Sequence, residues 1–85
     1  MWYVYMLRCS DETLYTGITN DLSARIRAHN AGTGAKYTRG RGPVELVYSE
    51  ELPSHGDALR REYAIKQLKK EQKLALILQR KPNTP

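Results

Sequence analysis

The carboxylate of Glu62 falls where its helix would want a hydrocarbon. On a 3.6-residue repeat its direction lies between Ala58 and Ile65 on one side and Leu59 and Lys66 on the other, inside the apolar arc. Burying a carboxylate costs several kcal/mol unless a partner is supplied. A salt bridge to Arg61, Lys66 or a core arginine is one such partner, and it is the commoner arrangement. A divalent cation is the other: Mg²⁺ takes only one or two protein carboxylates and keeps several waters, which one glutamate could satisfy. No second acidic residue has a reason to join Glu62, so the expectation is one ion and not two.

Arg25 and His29 stand four apart, on one face of a helix. The helix leaves directly from the short stretch holding Tyr15 and Gly17. A guanidinium offers a planar fork of donors that suits a phosphate, and the extra charge of a pentavalent transition state most of all. Each donor preorganised toward such charge is worth roughly 10²–10³ in rate. Tyr5 and Tyr15 fall on neighbouring strands, where two tyrosines are most often a packing pair. Their alternative use is to bring two hydroxyls to one site. A phenol has a pKa of about 10, so serving as a base at neutral pH costs roughly 4 kcal/mol. A nearby cation and Arg25 would lower that cost, whereas His29 is the cheaper base on pKa alone. On residue type both remain candidates.

Lys36, Tyr37, Arg39 and Arg41 lie among glycines in "AGTGAKYTRGRGP", residues 31–43. Basic residues interleaved with an aromatic suit backbone contact and base stacking on a nucleic acid, while a solvated flexible connection is the plainer reading. The stretch is not a P-loop, because Ala35 precedes Lys36 where a glycine is needed and a helix precedes it instead of a strand. Lys66, Lys69 and Lys70, with Lys73 beside them, say little one by one and form part of a second basic block.

Positioning these groups requires a scaffold. "WYVYMLRC" (2–9) is aromatic and β-branched and reads as a strand, with Tyr3, Tyr5, Leu7 and Cys9 on one face and Trp2, Val4, Met6 and Arg8 on the other. "SDET" turns the chain into a returning strand at 14–18, making a hairpin. Asn20 or Asp21 can cap a helix that runs to about Asn30 and stops at Gly32, with Leu22 and Ile26 as its apolar stripe. Alternation of Val44, Leu46 and Tyr48 predicts a third strand over 44–52. Ser54, with Asp57 three residues later, starts a helix to about Leu68, and 70–80 reads as a final helix with Leu74, Ile77 and Leu78 inward. The boundary near Lys69 has no Gly, Pro or good cap, so one bent helix is an alternative. The order predicts an α+β fold: a three-stranded sheet flanked by about three helices in a single domain, 1–80, followed by a flexible tail, 81–85. A parallel sheet is disfavoured, because the first two strands are joined too tightly for a crossover.

Size and charge narrow the function. Eighty-five residues make one small domain with a thin core. Fourteen Lys and Arg outnumber nine Asp and Glu, and they are unevenly placed. Residues 20–41 and 60–81 are basic blocks, whereas 42–59 carries Glu45, Glu50, Glu51 and Asp57 and no basic residue. The pattern points to a phosphate-rich partner, DNA or RNA, although surplus lysine also serves solubility. The single cysteine, Cys9, excludes an internal disulfide and a Cys-based zinc cluster. With no apolar run near 20 residues and no leader, a soluble cytoplasmic protein with no membrane contact is expected.

Taken together the residues resemble the GIY-YIG nuclease superfamily. Its first motif corresponds to Tyr3-Val4-Tyr5 and its second to Tyr15-Thr16-Gly17. The helix arginine corresponds to Arg25, followed by His29-Asn30, and the helix glutamate to Glu62 in "LRREYAIKQLKK". The similarity runs from residue 2 to about 78 and is strongest to the small single-domain bacterial branch and the related Slx-type structure-specific endonuclease subunit. It implies a three-stranded antiparallel sheet flanked by helices and metal-dependent hydrolysis of phosphodiester bonds in DNA, in branched or damaged structures met in repair or recombination. Glu62 would bind one Mg²⁺ or Mn²⁺, Arg25 would grip the scissile phosphate, Tyr5 and Tyr15 would position or deprotonate water, and His29 would assist. Tyr3 and Val4 replace Gly and Ile of the first motif, Thr16 replaces Ile of the second, and Ile18 stands where repair-incision relatives carry lysine. Relatives commonly take substrate choice from an added domain or a partner subunit, which implies a protein partner here. The rival expectations are a nucleic-acid-binding module with weak or no cleavage of its own and, more distantly, an interaction subunit.

Overall fold

A computed structural model describes residues 1–80 of the chain. The tail expected at 81–85 lies outside the described residues. The elements run β1 (Trp2–Arg8), β2 (Leu14–Thr19), α1 (Leu22–Asn30), β3 (Glu45–Leu52), α2 (His55–Lys66) and α3 (Lys70–Arg80). The three strands form one antiparallel sheet in the order β2-β1-β3.

β1 is the central strand, and this is why both of its faces are apolar. Val4 and Met6 pack with Tyr48, Ala58, Ile65 and Ile77 beneath α2 and α3. Tyr5, Leu7 and Cys9 turn the other way and meet Val44, Tyr15, Leu22 and Ile26 beneath α1. A strand sandwiched between two helical layers must alternate between two cores, and the expected period-2 division of β1 holds residue by residue. Cys9 is buried and serves as packing.

Hydrogen-bonded caps set the helix limits. Asp21 caps α1 by accepting from the Ala24 N–H at 3.1 Å, and Gly32 follows its end with a φ of +83°. Ser54 caps α2 by accepting from the Asp57 N–H at 3.1 Å. The chain between α2 and α3 is broken and not bent. The Gln72 side-chain carbonyl reaches back to accept from the Lys69 N–H at 2.8 Å, a cap supplied from inside the helix that begins there.

Two expectations are corrected. α3 buries Ile77 and packs Leu76 against the core, but Leu74 is 44% exposed and Leu78 is 69% exposed. The sheet has three strands, and α2 already covers β1 and β2, so α3 rests on the β3 edge along a narrow stripe. In β3 the register slips opposite Met6 and Leu7, which pair with Tyr48 and Leu46. That bulge turns Val47 toward the core and leaves Leu46 exposed, breaking the simple alternation.

Candidate active site

Gly17 pairs directly with Tyr5 across the β1–β2 ladder, and the Tyr5 ring lies over it. A methyl group on Gly17 would come within 2.6 Å of the Tyr5 hydroxyl oxygen. Glycine here makes room for a phenol laid flat between two strands. The hydroxyl thereby points toward α1, where His29 and Arg25 descend onto the sheet.

Tyr5 Oη and His29 Nε2 lie 2.9 Å apart, both residues fully buried. Arg25 lies close enough for its guanidinium to act on the phenol. Tyr15 closes the group, its ring centroid 5.2 Å from that of His29 and 6.3 Å from that of Tyr5. Four of the five residues singled out for chemistry therefore meet at one place. The helix spacing of Arg25 and His29 and the placing of Tyr5 and Tyr15 on adjacent strands combine only because α1 covers the β1–β2 face.

Burial pushes the Tyr5 phenol above its ordinary 10.0, and the charges of Tyr15 and Glu62 push the same way. The Arg25 hydrogen bond and charge pull it down without prevailing. His29 is held below its ordinary 6.5, first by burial and then by the Arg25 charge. Left to itself, the pair keeps its proton on the phenol. Arg25 Nε is buried with no hydrogen-bond partner. An orphaned guanidinium donor beside a phenol is costly unless an anion completes it.

Glu62 approaches from α2, near enough for its charge to act on Tyr5. Its carboxylate is half-buried and pairs with Lys66 at 3.2 Å, one turn further along the helix. That pair is neither dry nor rigid, since half of the lysine side chain is exposed to solvent. Among the described residues no three His, Cys, Asp or Glu side chains gather as a metal-ligand cluster. The donor set thus suits an ion that keeps most of its water and takes one carboxylate, not one caged by protein.

The loop from 31 to 43 is not the free connection its glycines suggest. Arg41 lends its carbonyl to the Ser10 N–H at 2.8 Å and the Ser10 hydroxyl at 2.9 Å, and its guanidinium pairs with Asp11. The same guanidinium sits 4.5 Å above the Tyr37 ring, and Tyr37 stacks on Tyr15 at 5.8 Å. Two of the four loop residues expected to meet nucleic acid, Tyr37 and Arg41, therefore build the wall of the site. Lys36 and Arg39 remain exposed. Of the α2–α3 lysines, Lys66 is engaged by Glu62 and Lys69 is exposed. Lys70 reaches the Glu12 carbonyl at 3.5 Å and, with Lys73, lines a cleft of about 220 Å³ beside Tyr37. Tyr37 of the glycine-rich loop and two lysines of the second basic block, remote in sequence, meet at that cleft.

Two residues at the site, Thr38 and Gly34, carry no obvious sequence signal, and Asn30 carries one only through the family resemblance. Thr38, fully buried, places its hydroxyl 2.7 Å from His29 Nδ1. Gly34 packs against His29 so closely that a methyl group would meet Nδ1 at 2.6 Å. Asn30 accepts the Val44 N–H at 2.7 Å and ties the end of α1 to the start of β3. Threonine and glycine in a glycine-rich loop read as generic, and only the fold over α1 gives them a specific neighbour.

Residues 1–75 match the family model described as the GIY-YIG catalytic domain. The chain belongs to the GIY-YIG family. Within it, the chain is 62% identical to a UPF0213 protein of Clostridium perfringens, over 91% of this chain and 83% of that one. It is 57% identical to a UPF0213 protein of Halobacterium salinarum, over 89% and 99% of the two chains. The solution structure of a UPF0213 protein from Bacillus halodurans superposes with a TM-score of 0.63 at 45% identity, covering 98% of this chain and 89% of that one. The GIY-YIG fold and the three-stranded antiparallel sheet expected from the sequence are those of the family's solved members. Among the described residues, no helix is long and apolar enough to cross a membrane.

Proposed function

We propose that this GIY-YIG domain is a metal-dependent endonuclease that hydrolyses phosphodiester bonds of DNA. The observation that carries the reading is the buried Tyr5–His29 pair beside Arg25, with one guanidinium nitrogen left unpartnered and a carboxylate nearby. An incoming phosphate oxygen would pair with the Arg25 guanidinium and place phosphorus close to the phenol. Tyr5 would then receive a proton from the attacking water, and His29 would receive the proton of Tyr5. Tyr15 confines that water against the two rings. Glu62 would hold one Mg²⁺ or Mn²⁺, which when bound supplies positive charge to the phosphate and its leaving oxygen. The Glu62–Lys66 pair must open for this, which the exposure of the lysine permits.

Structure-selective action of the Slx kind, on branched or damaged DNA in repair or recombination, is the finer form of the proposal. The cleft beside the site is lined by only a few residues, among them Tyr37, Lys70 and Lys73, and a protein partner would supply the rest of the substrate choice. The second reading, a nucleic-acid-binding module with little turnover of its own, draws on the occupied state of Glu62.

Purified protein incubated with branched, nicked and linear DNA in Mg²⁺ or Mn²⁺ tests both readings. Cleavage is expected in the wild type, with losses of about 10²–10³-fold in Arg25→Ala. A loss at least as large is expected in Glu62→Ala. Products that persist undiminished in both variants would dismiss this site. Salt-sensitive binding without products would favour the binding module.

A further inference from the structure

His29 has two ring nitrogens, each against a hydroxyl, and the direction of every hydrogen bond in the chain can be deduced from its ends. At one end stands the Ala35 carbonyl, which only accepts; the Thr38 hydroxyl donates its one hydrogen to it at 3.2 Å. Thr38 Oγ1 is then an acceptor toward His29, 2.7 Å away, so Nδ1 carries the imidazole hydrogen. At the other end stands the Arg25 guanidinium, whose charge acts on the phenol and which has no acceptor to offer it. The phenolic hydrogen therefore goes to His29 Nε2 at 2.9 Å. Both ends demand the same arrangement. The reverse assignment leaves the Ala35 carbonyl without this donor and gives the phenolic hydrogen no acceptor on the histidine.

We propose that Thr38 is a positioning residue that holds His29 in its Nδ1–H tautomer, so that the bare Nε2 faces Tyr5 as the acceptor of the phenolic proton. The geometry of the loop serves this contact. Gly34 lets the backbone close over the imidazole, and Thr38 and His29 are each 1% exposed, so water does not compete for either nitrogen. The consequence for catalysis rests on the nuclease reading, whereas the tautomer does not. When the pair reacts, the Tyr5 O–H bond breaks with its electrons left on Oη, and the proton forms an N–H bond at Nε2. Oη then takes a proton from the attacking water as the hydroxide oxygen bonds to phosphorus. The leaving oxygen departs with the electrons of the broken P–O bond and is protonated by solvent. Thr38 accepts from Nδ1–H before and after the transfer, so the ring has no reason to turn.

Long-range ¹H–¹⁵N spectra of the full chain labelled in histidine, recorded without substrate at a pH where the ring is neutral, read the tautomer directly. The expected wild-type pattern is a protonated Nδ1 and a bare Nε2, opposite to the form that free histidine favours. Thr38→Val, similar in shape without the acceptor, is expected to lose that pattern in favour of Nε2–H, and Thr38→Ser to keep it. In the cleavage assay Thr38→Val is expected to lower kcat about a hundredfold with KM little changed, and Thr38→Ser to restore it. A wild-type spectrum showing Nε2–H overturns the proposal whether or not the variants fold. A Thr38→Val protein that keeps the Nδ1–H pattern overturns it equally. Absence of cleavage by the wild type, beside an Nδ1–H spectrum that Thr38→Val abolishes, removes the nuclease reading and leaves the positioning of His29 by Thr38 standing.

Discussion

Tyr5 and His29 bias each other, and the bias is visible in stability as well as in chemistry. The folded state holds the His29 pKa below 6.5, so the unfolded chain binds a proton more readily. This contribution is complete above 6.5 and is lost as the pH falls through the lower, folded value. Tyr5 acts in the opposite sense: its folded pKa is raised, so its contribution is complete below 10.0 and is lost as the pH rises through the higher, folded value. The pair therefore favours folding most between those two limits. In urea titrations the wild type is expected to lose stability as the pH drops below 6.5, and His29→Gln, which cannot titrate, is expected to lose that part of the slope. An unchanged slope in the variant would show that His29 is as readily protonated folded as unfolded. The same residues explain what could be foreseen. Arg25, His29, Tyr5 and Tyr15 announce themselves by type, whereas Thr38 is an ordinary residue until its hydroxyl is seen against a ring nitrogen.

The loop between α1 and β3 behaves as an element although it has no regular structure. It is held to the β1–β2 turn by Arg41 and to α1 by Thr38, and its Tyr37 covers Tyr15. Its glycines do different work: Gly32 supplies a positive φ after α1, and Gly34 permits close approach to His29. A methyl group at residue 34 would meet both the imidazole and the His29 Cα at 2.8 Å, so backbone must give way and not only a side chain. Gly34→Ala is expected to cost about 1–3 kcal/mol, as overpacking typically does. In thermal melts that is a fall of roughly 4–8 °C per kcal/mol for a domain of this size. A melting temperature equal to wild type would mean that the loop does not rest on His29. Sequence could not distinguish this loop from a tether, because glycine that loosens a chain and glycine that lets two backbones touch are the same letter.

For the whole molecule, the uneven charge becomes a geometry. Lys70 and Lys73 come from one basic block and Tyr37 from the other, and they share a single cleft beside the site. Binding to duplex DNA is expected to weaken with salt at a log–log slope of about −0.9 for each phosphate neutralised. Lys70→Glu with Lys73→Glu is expected to make that slope shallower by about two phosphates' worth, roughly 1.8. A slope that does not change would place the DNA elsewhere. The sheet carries one core on each face, so the site and the cleft are held by the same three strands.

The amino-acid order alone determined the strands and the first two helices, the cap at Ser54 and a cap at Asn20 or Asp21, and the division of β1 between two faces, because periodicity and capping act over a few residues. It also carried the five chemical groups, since a carboxylate in an apolar arc or an arginine four residues from a histidine is a local pattern. Only the tertiary structure decided that α3 would leave Leu74 and Leu78 outside, that Gln72 would cap its own helix, and that the glycine-rich loop would close on His29. Those outcomes depend on how many strands remain to be covered and on which backbone passes within van der Waals reach of which ring. Such quantities belong to contacts between distant residues, and no short window of sequence contains both partners.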